Sequence, residues 1–292
     1  MRELLPNVFT IADQGAYAYL LGEGDDVIAI DAGFTQTPDE QMFPGLERRQ
    51  QRISQVLLTH GHADHYEGAQ AIQARFDAPV AIHTLDAPLM RFAADGELRR
   101  KLSLAYPDLF APPPPSPKAI DADQLLEDGD TIQAGNCRLR VVHTPGHSEG
   151  SVCFYEEHQR LLFTGDAVSG GFLHFYCDPE VVERSLERLR RLDVEHLFMA
   201  HEYPPLNQHV LTGSAIDEFF ASSLNALRTS RTYRLDTLRD IYRHVLDTLR
   251  ETGREMLPQE LVPDLDHTTL IALLKLLERA ARRGVGTPAF SG

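Results

Sequence analysis

The sequence predicts an α/β protein with a C-terminal helical extension. Three observations point there. Short apolar runs of strand length, rich in Val, Ile and Leu, recur as far as Ala200. Between several of them lie stretches whose apolar residues are spaced by three and four, the helical period. From Pro204 onward the pattern shifts to helical stripes.

The elements follow in order. Val8–Ala12 and Ala16–Leu21 read as strands joined by a turn at Asp13-Gln14-Gly15, and Val27–Ile30 as a third strand ending at Asp31-Ala32-Gly33. Residues 34–54 are polar, contain Pro38 and Pro44, and read as a loop and a helix. Val56-Leu57-Leu58 reads as a buried strand. Tyr66–Phe76 has helical spacing at Ala69, Ile72 and Phe76, and Pro79–His83 is the next strand. Residues 84–118 read as an insertion that forms a wall or lid over the site: Leu85–Leu104 is helical in pattern with a break at Asp95-Gly96. Its Pro run, Pro112 to Pro117, is extended because proline fixes φ and lacks a donor, and it reads as a stiff spacer.

Thr131–Ala134 and Leu139–His143 read as strands, with Ser151–Tyr155 and Leu161–Thr164 as a hairpin. Pro179–Leu192 is an amphipathic helix with Val182, Leu186, Leu189 and Leu192 on one face, and Leu197–Ala200 is a further strand. Ser214-x-x-Asp217 resembles a capping box, with Asp in place of the usual Glu or Gln. Stripes at Ile216, Phe219, Phe220, Leu224 and Leu227, then at Leu235 to Leu249, then at Leu270 to Leu277, read as core.

Composition narrows the function. A chain of 292 residues holds one large domain, or one plus a small appendage. The 43 acidic residues against 28 basic, a net charge of −15, oppose nonspecific nucleic-acid binding, which draws its affinity from Lys and Arg on phosphates. No apolar run is long enough to span a bilayer, and the first residues lack the apolar region of a signal peptide. Cys137, Cys153 and Cys177 are odd in number and widely spaced, which suits a reducing compartment. The expected location is the cytoplasm.

Chemistry concentrates after Val56-Leu57-Leu58, in Thr59-His60-Gly61-His62-Ala63-Asp64-His65. A polar cluster directly after an apolar strand sits where an α/β sheet presents its chemistry. Imidazole and carboxylate suit zinc, iron or manganese. His60 and His62 can point two rings at one metal, and Asp64 and His65 can turn toward a second. Three more ligand types follow strand-like runs. Pro145-Gly146 forces a tight turn before His147, Gly165 allows a close backbone approach before Asp166, and Leu197–Ala200 delivers His201. This recurrence argues against a merely His-rich surface turn. His83, at a strand end, reads as structural or as an outer support.

Taken in order, His60-x-His62-x-Asp64-His65, the stretch from His143 to Ser151, Phe163-Thr164-Gly165-Asp166-Ala167 and Ala200-His201-Glu202-Tyr203 resemble the four motifs of the metallo-β-lactamase fold superfamily. The resemblance covers roughly residues 8 to 205 and is nearest in wording to glyoxalase II-like hydrolases and their persulfide dioxygenase relatives. It implies an αββα sandwich of two mixed β-sheets flanked by helices. A catalytic domain would then occupy 1–205, with the 84–118 insertion, and a helical region 206–292, for which a winged-helix-like cap is one alternative.

The resemblance also implies a site. His60, His62 and His147 hold a first metal, Asp64, His65 and His201 a second, and Asp166 bridges them. Two zinc ions are expected, with iron or manganese as alternatives. Asp31 is either an outer support of this centre or a cap of the following loop. The implied reaction is hydrolysis of a carboxylic thioester, ester or lactone by a metal-bridged hydroxide, whose parent water Asp64 orients and deprotonates. Tyr176 and Tyr203 are candidate hydroxyl partners of the carbonyl or oxyanion. Two other readings stand beside it: a persulfide dioxygenase with one iron on His60, His147 and Asp166, and a non-catalytic ligand sensor. Exported class B β-lactamases commonly have cysteine where Asp166 stands, and flavodiiron proteins carry an acidic residue in place of His62, so both fit less well. Arg228, Arg231, Tyr233 and Arg234 lie where glyoxalase II-like enzymes hold glutathione, but their spacing transfers no role. The expected partner is a small-molecule acyl substrate, with no nucleic acid and no membrane, and with a homodimer left open.

Overall fold

Along Asp26–Ile30 every residue after the first is buried, and alternate side chains enter different cores. Val27 and Ala29 join one cluster; Ile28 and Ile30 join another. A strand with period two and both faces apolar must lie inside a sheet covered on both sides. The computed structural model describes residues 1–90, 120–134, 137–170, 179–203 and 206–230. The chain divides into two units, residues 1–93 with 117–226, and 94–116 with 227–292. The second lies outside the described residues except at 227–230.

Among the described residues of the first unit the strands form two sheets. The first runs in the order β1 (Arg2–Leu5), β2 (Val8–Asp13), β3 (Ala16–Leu21), β4 (Asp26–Ile30), β5 (Arg52–Leu57), β6 (Val80–His83) and β7 (Gln124–Leu126). It is antiparallel through β4 and parallel from β4 to β7. The second contains β8 (Thr131–Ala134), β9 (Cys137–His143), β10 (Val152–Glu156), β11 (Leu161–Phe163), β12 (His196–Tyr203) and β13 (Gln208–Thr212), stacked edge to edge from β13 to β8. Only its β11–β12 pair is parallel. Both sheets are therefore mixed, as expected.

The inner core holds Tyr19, Ile28, Ile30 and Leu57 from the first sheet and Leu139, Val141, Phe154, Phe163 and Phe198 from the second. On the other face of the first sheet, Phe9, Leu20, Val56 and Ile82 pack with Met42, Phe43 and Leu46 of a helical stretch. That stretch starts as a π-helical turn at Pro38–Met42 and continues as α1 (Phe43–Arg49). The helix expected after the histidine cluster is two pieces, α2 (Ala63–Tyr66) and α3 (Ala69–Phe76). Over the second sheet, α4 (Pro179–Leu189) buries Val182, Leu186 and Leu189. Ser185 Oγ donates to the Pro145 carbonyl at 2.7 Å, and Arg188 to the His143 carbonyl at 3.1 Å. The helix α5 (Ser214–Ser230) starts at the expected Ser214.

Three strands were not legible in the pattern. β1 and β7 are short edge strands, and β13 lies where the composition shift after Pro204 predicts helix. β13 holds its place by pairing antiparallel with β12, Leu197 opposite Leu211 and Phe198 opposite Val210. The Pro run, most of the 84–118 stretch and the two later helical stripes lie outside the described residues.

Candidate metal centre

Four segments bring the polar clusters together, and each is aimed by its strand. β5 ends at Leu57, and α2 begins at Ala63, so His60 and His62 lie on the connection and Asp64 and His65 on the first helical turn. His147 follows β9, Asp166 follows β11, and His201 lies within β12. The site thus draws on both sheets.

His60, His62 and His147 converge. His60 Nε2 and His62 Nδ1 are 3.0 Å apart, and His147 Nε2 and His62 Nδ1 2.8 Å. The tautomer of His60 follows from its neighbours. Thr59 Oγ1 gives its proton to Asp31 at 2.9 Å, so at 3.1 Å it accepts from His60 Nδ1. His60 Nε2 therefore turns its lone pair toward the other two rings. Three ring nitrogens at one point ask for a shared cation.

Asp64, His65 and His201 form a second set, with ligand atoms within 4.8 Å of one another. His65 Nδ1 donates to Asp31 Oδ2 at 2.9 Å, and His201 Nδ1 to the Gly15 carbonyl at 2.8 Å. The Nε2 atoms of both rings face the acids, where a cation could take the place of a proton. His65 Nε2 is buried without a hydrogen bond. A buried polar atom of this kind needs a partner, and a cation supplies one.

Asp166 lies between the sets. Its Oδ2 is 3.3 Å from His147 Nε2, and its Oδ1 is 3.5 Å from His201 Nε2 and 3.7 Å from His65 Nε2. One oxygen faces each set. Gly165 makes this approach possible: it has φ +51°, and a Cβ there would lie 2.4 Å from Thr59 Oγ1.

The electrostatics match. Burial would raise the Asp166 carboxyl, but His147, His201 and His65 outweigh it and hold it at about 2. Burial acts the same way on Asp64, where His65, His201 and His62 prevail and hold the carboxyl well below the usual range. Burial opposes a charge on His65, yet Asp64, Asp31 and Asp166 push it up to about 10. The acids thus draw positive charge into the site. Imidazoles and carboxylates without a thiolate fit zinc, iron or manganese. Burial pushes the thiols of Cys137 and Cys153 up to about 12, so neither offers a thiolate; Cys177 lies outside the described residues.

Asp31 serves the site as well as the backbone. It is buried, accepts from the Thr59 amide at 2.8 Å and orients both Thr59 and His65. His83 stacks on His143, with ring centroids 4.2 Å apart, and accepts from the Leu85 amide, as a structural residue would. Tyr203 is buried with its ring edge-on to His201, centroids 5.8 Å apart. Tyr176 lies outside the described residues.

Sequence reasoning missed Asp86. It falls at the start of the stretch read as an insertion, yet its carboxylate binds the turns that carry His60, His62 and His147. The available signal was its position. Asp86 follows β6, the parallel neighbour of β5, at the same carboxyl edge of the sheet.

A family model for the metallo-beta-lactamase superfamily matches residues 12–201. The chain is 29% identical over 201 residues to a hydroxyacylglutathione hydrolase of Chelativorans sp. (strain BNC1), covering 65% of this chain and 67% of that protein. It is 32% identical over 167 residues to the human acyl-coenzyme A thioesterase MBLAC2, covering 52% of this chain and 57% of that protein. Across the curated relatives it matches, the chain spans about half to two thirds of their length. Among solved structures it resembles TTHA1623 in a di-iron-bound form, at 26% identity and a TM-score of 0.53, over 73% of this chain and 97% of that one.

Proposed function

The chain belongs to the metallo-beta-lactamase superfamily; from that premise we propose that it is a hydrolase that cleaves a carboxylic thioester, ester or lactone at a centre of two divalent cations. The observation that carries the reading is the pair of ligand sets sharing Asp166, each of whose oxygens faces one set. His60, His62 and His147 would hold one cation, and Asp64, His65 and His201 the other, with zinc preferred over iron or manganese for its fit to imidazole. Bound there, the cations supply Lewis acidity toward a carbonyl oxygen and make water acidic enough to attack near neutral pH.

The protein's own residues do the rest. Asp31 and the Gly15 carbonyl fix the tautomers of His65 and His201, so that both rings present acceptors. Asp64 is partly exposed and stays ionised, which suits it to accept a hydrogen bond from the attacking water and orient it. An acyl substrate is favoured over a phosphodiester because the chain has 43 acidic and 28 basic residues, against the basic track that phosphates require. The names of the relatives, a hydroxyacylglutathione hydrolase and an acyl-coenzyme A thioesterase, support a thioester in particular.

The test pairs elemental analysis of the reconstituted protein with a panel of acyl thioesters, lactones, a persulfide and bis-p-nitrophenyl phosphate. Two cations per chain with thioester or lactone turnover is the expected result. One iron with oxygen uptake on the persulfide would replace the reading by a dioxygenase. Turnover of the phosphodiester alone would overturn the substrate class, and two bound cations with no turnover would point to a sensor.

A further inference from the structure

We propose that Asp86 is a positioning residue that locks the turn bearing His60 and His62 to the turn bearing His147, and thereby sets the geometry of the first ligand set. The inference rests on the metal-centre reading above and goes beyond its ligands. Asp86 is fully buried. Its Oδ2 accepts from the Gly61 amide at 2.9 Å and from Ser148 Oγ at 2.6 Å, and its Oδ1 accepts from the Gly150 amide at 2.7 Å. Gly61 lies between His60 and His62, and Ser148 directly follows His147. One carboxylate therefore spans two turns that come from different sheets.

The packing is as tight as the hydrogen bonding. A Cβ on Gly150 would lie 2.6 Å from both the backbone nitrogen and Oδ1 of Asp86. Ser148 is braced in turn by Ser151, whose Oγ lies 2.7 Å from Ser148 Oγ and accepts from the Ser148 amide at 3.0 Å. The result of this clamp is the 2.8 Å approach of His147 Nε2 to His62 Nδ1.

Only a carboxylate suits the position. All three partners are donors, and an ionised carboxylate accepts at both oxygens. Asparagine matches its shape but has one acceptor oxygen, and its NH2 would face a donor. The partners of the Asp86 carboxylate are two backbone amides and a serine hydroxyl of the turns, so its effect passes through the turns. Loss of such outer support typically costs about 10- to 100-fold in metal affinity.

The test uses the full chain and zinc competition against a chromophoric chelator, in two backgrounds. His201→Ala leaves the first ligand set intact, and His147→Ala leaves the second. Asp86→Asn should weaken zinc binding about 10-fold or more in the His201→Ala background and less than about 3-fold in the His147→Ala background. Far-UV circular dichroism checks that the variants fold. Should Asp86→Asn not fold, Ser148→Ala removes only one of the three donors and should show the same asymmetry on a smaller scale. Equal losses in both backgrounds, or no loss in the first, would overturn the role of Asp86. A wild-type chain that binds no zinc would overturn the metal centre itself, and this role with it.

Discussion

Asp31 carries two duties that pull on the same residue. Its φ of +60° lies in the left-handed region, where non-glycine residues are strained. Its carboxylate accepts from the Thr59 amide, the Thr59 hydroxyl and His65 Nδ1. Asparagine tolerates that φ but replaces one acceptor oxygen by a donor. Asp31→Asn should therefore fold normally and bind the second cation about 10-fold more weakly, as zinc titration in the His147→Ala background would show. An unchanged affinity would reduce Asp31 to a backbone role. Asp166 makes a sharper contrast. Because each of its oxygens faces a different ligand set, Asp166→Ala should lose both cations, whereas His201→Ala should keep the one held by His60, His62 and His147. Elemental analysis of the two variants decides it, and retention of both metals by Asp166→Ala would end the bridging assignment.

At the scale of elements, β13 is tied to the first sheet through His209. Arg2 of β1 donates to His209 Nε2 at 3.3 Å, so Nδ1 carries the proton and faces Tyr19 Oη at 3.1 Å. The Tyr19 hydroxyl donates on to the Met199 carbonyl at 2.6 Å, and Tyr17 stacks on the His209 ring with centroids 3.8 Å apart. This arrangement needs a neutral ring. Burial, helped by Arg2, lowers the His209 pKa from 6.5 to about 4. For a base whose folded pKa is depressed, the unfolded chain takes up the proton first as pH falls. The stability contributed by neutral His209 is thus complete above pH 6.5 and drains away toward pH 4. His209→Gln cannot titrate, so the gap in Tm between wild type and variant should narrow from pH 7.5 to pH 5, about one unit above the folded value. Parallel Tm curves would show that His209 does not titrate in this way.

At the scale of the molecule, the candidate ligands come from both sheets. His60, His62, Asp64 and His65 follow a strand of the first, and His147, Asp166 and His201 belong to the second. A cation bound to both sets of segments would act as a clamp across the sandwich. Removing it with a chelator should lower Tm, and Tm should climb with free zinc as mass action adds about 1.4 kcal/mol per decade above Kd. A melting temperature indifferent to zinc would mean that the centre closes without help from the metal. The net charge of −15 adds a second expectation at this scale. Thioester turnover by the zinc-loaded protein should not be inhibited by added RNA at moderate salt, since a negative surface repels it.

The sequence by itself marked the candidate ligand types, their order along the chain and the strands that precede them. Those signals are local: an apolar run next to His and Asp, a Pro-Gly turn before His147, a glycine before Asp166. It also determined the α/β class, because period two and period 3.6 are written in neighbouring residues. Only the tertiary structure decided what distant residues do together. Asp86 looks like an ordinary loop acid until Gly61, Ser148 and Gly150 converge on it from two sheets. His83 carries no mark of its stacking on His143, and Gln208–Thr212 becomes a strand through its pairing with β12 rather than through its own pattern. The physical reason is the same in each case. Hydrogen bonds, ring stacking and strand pairing depend on groups brought close by the packing of the whole chain, and no local window of sequence contains both partners.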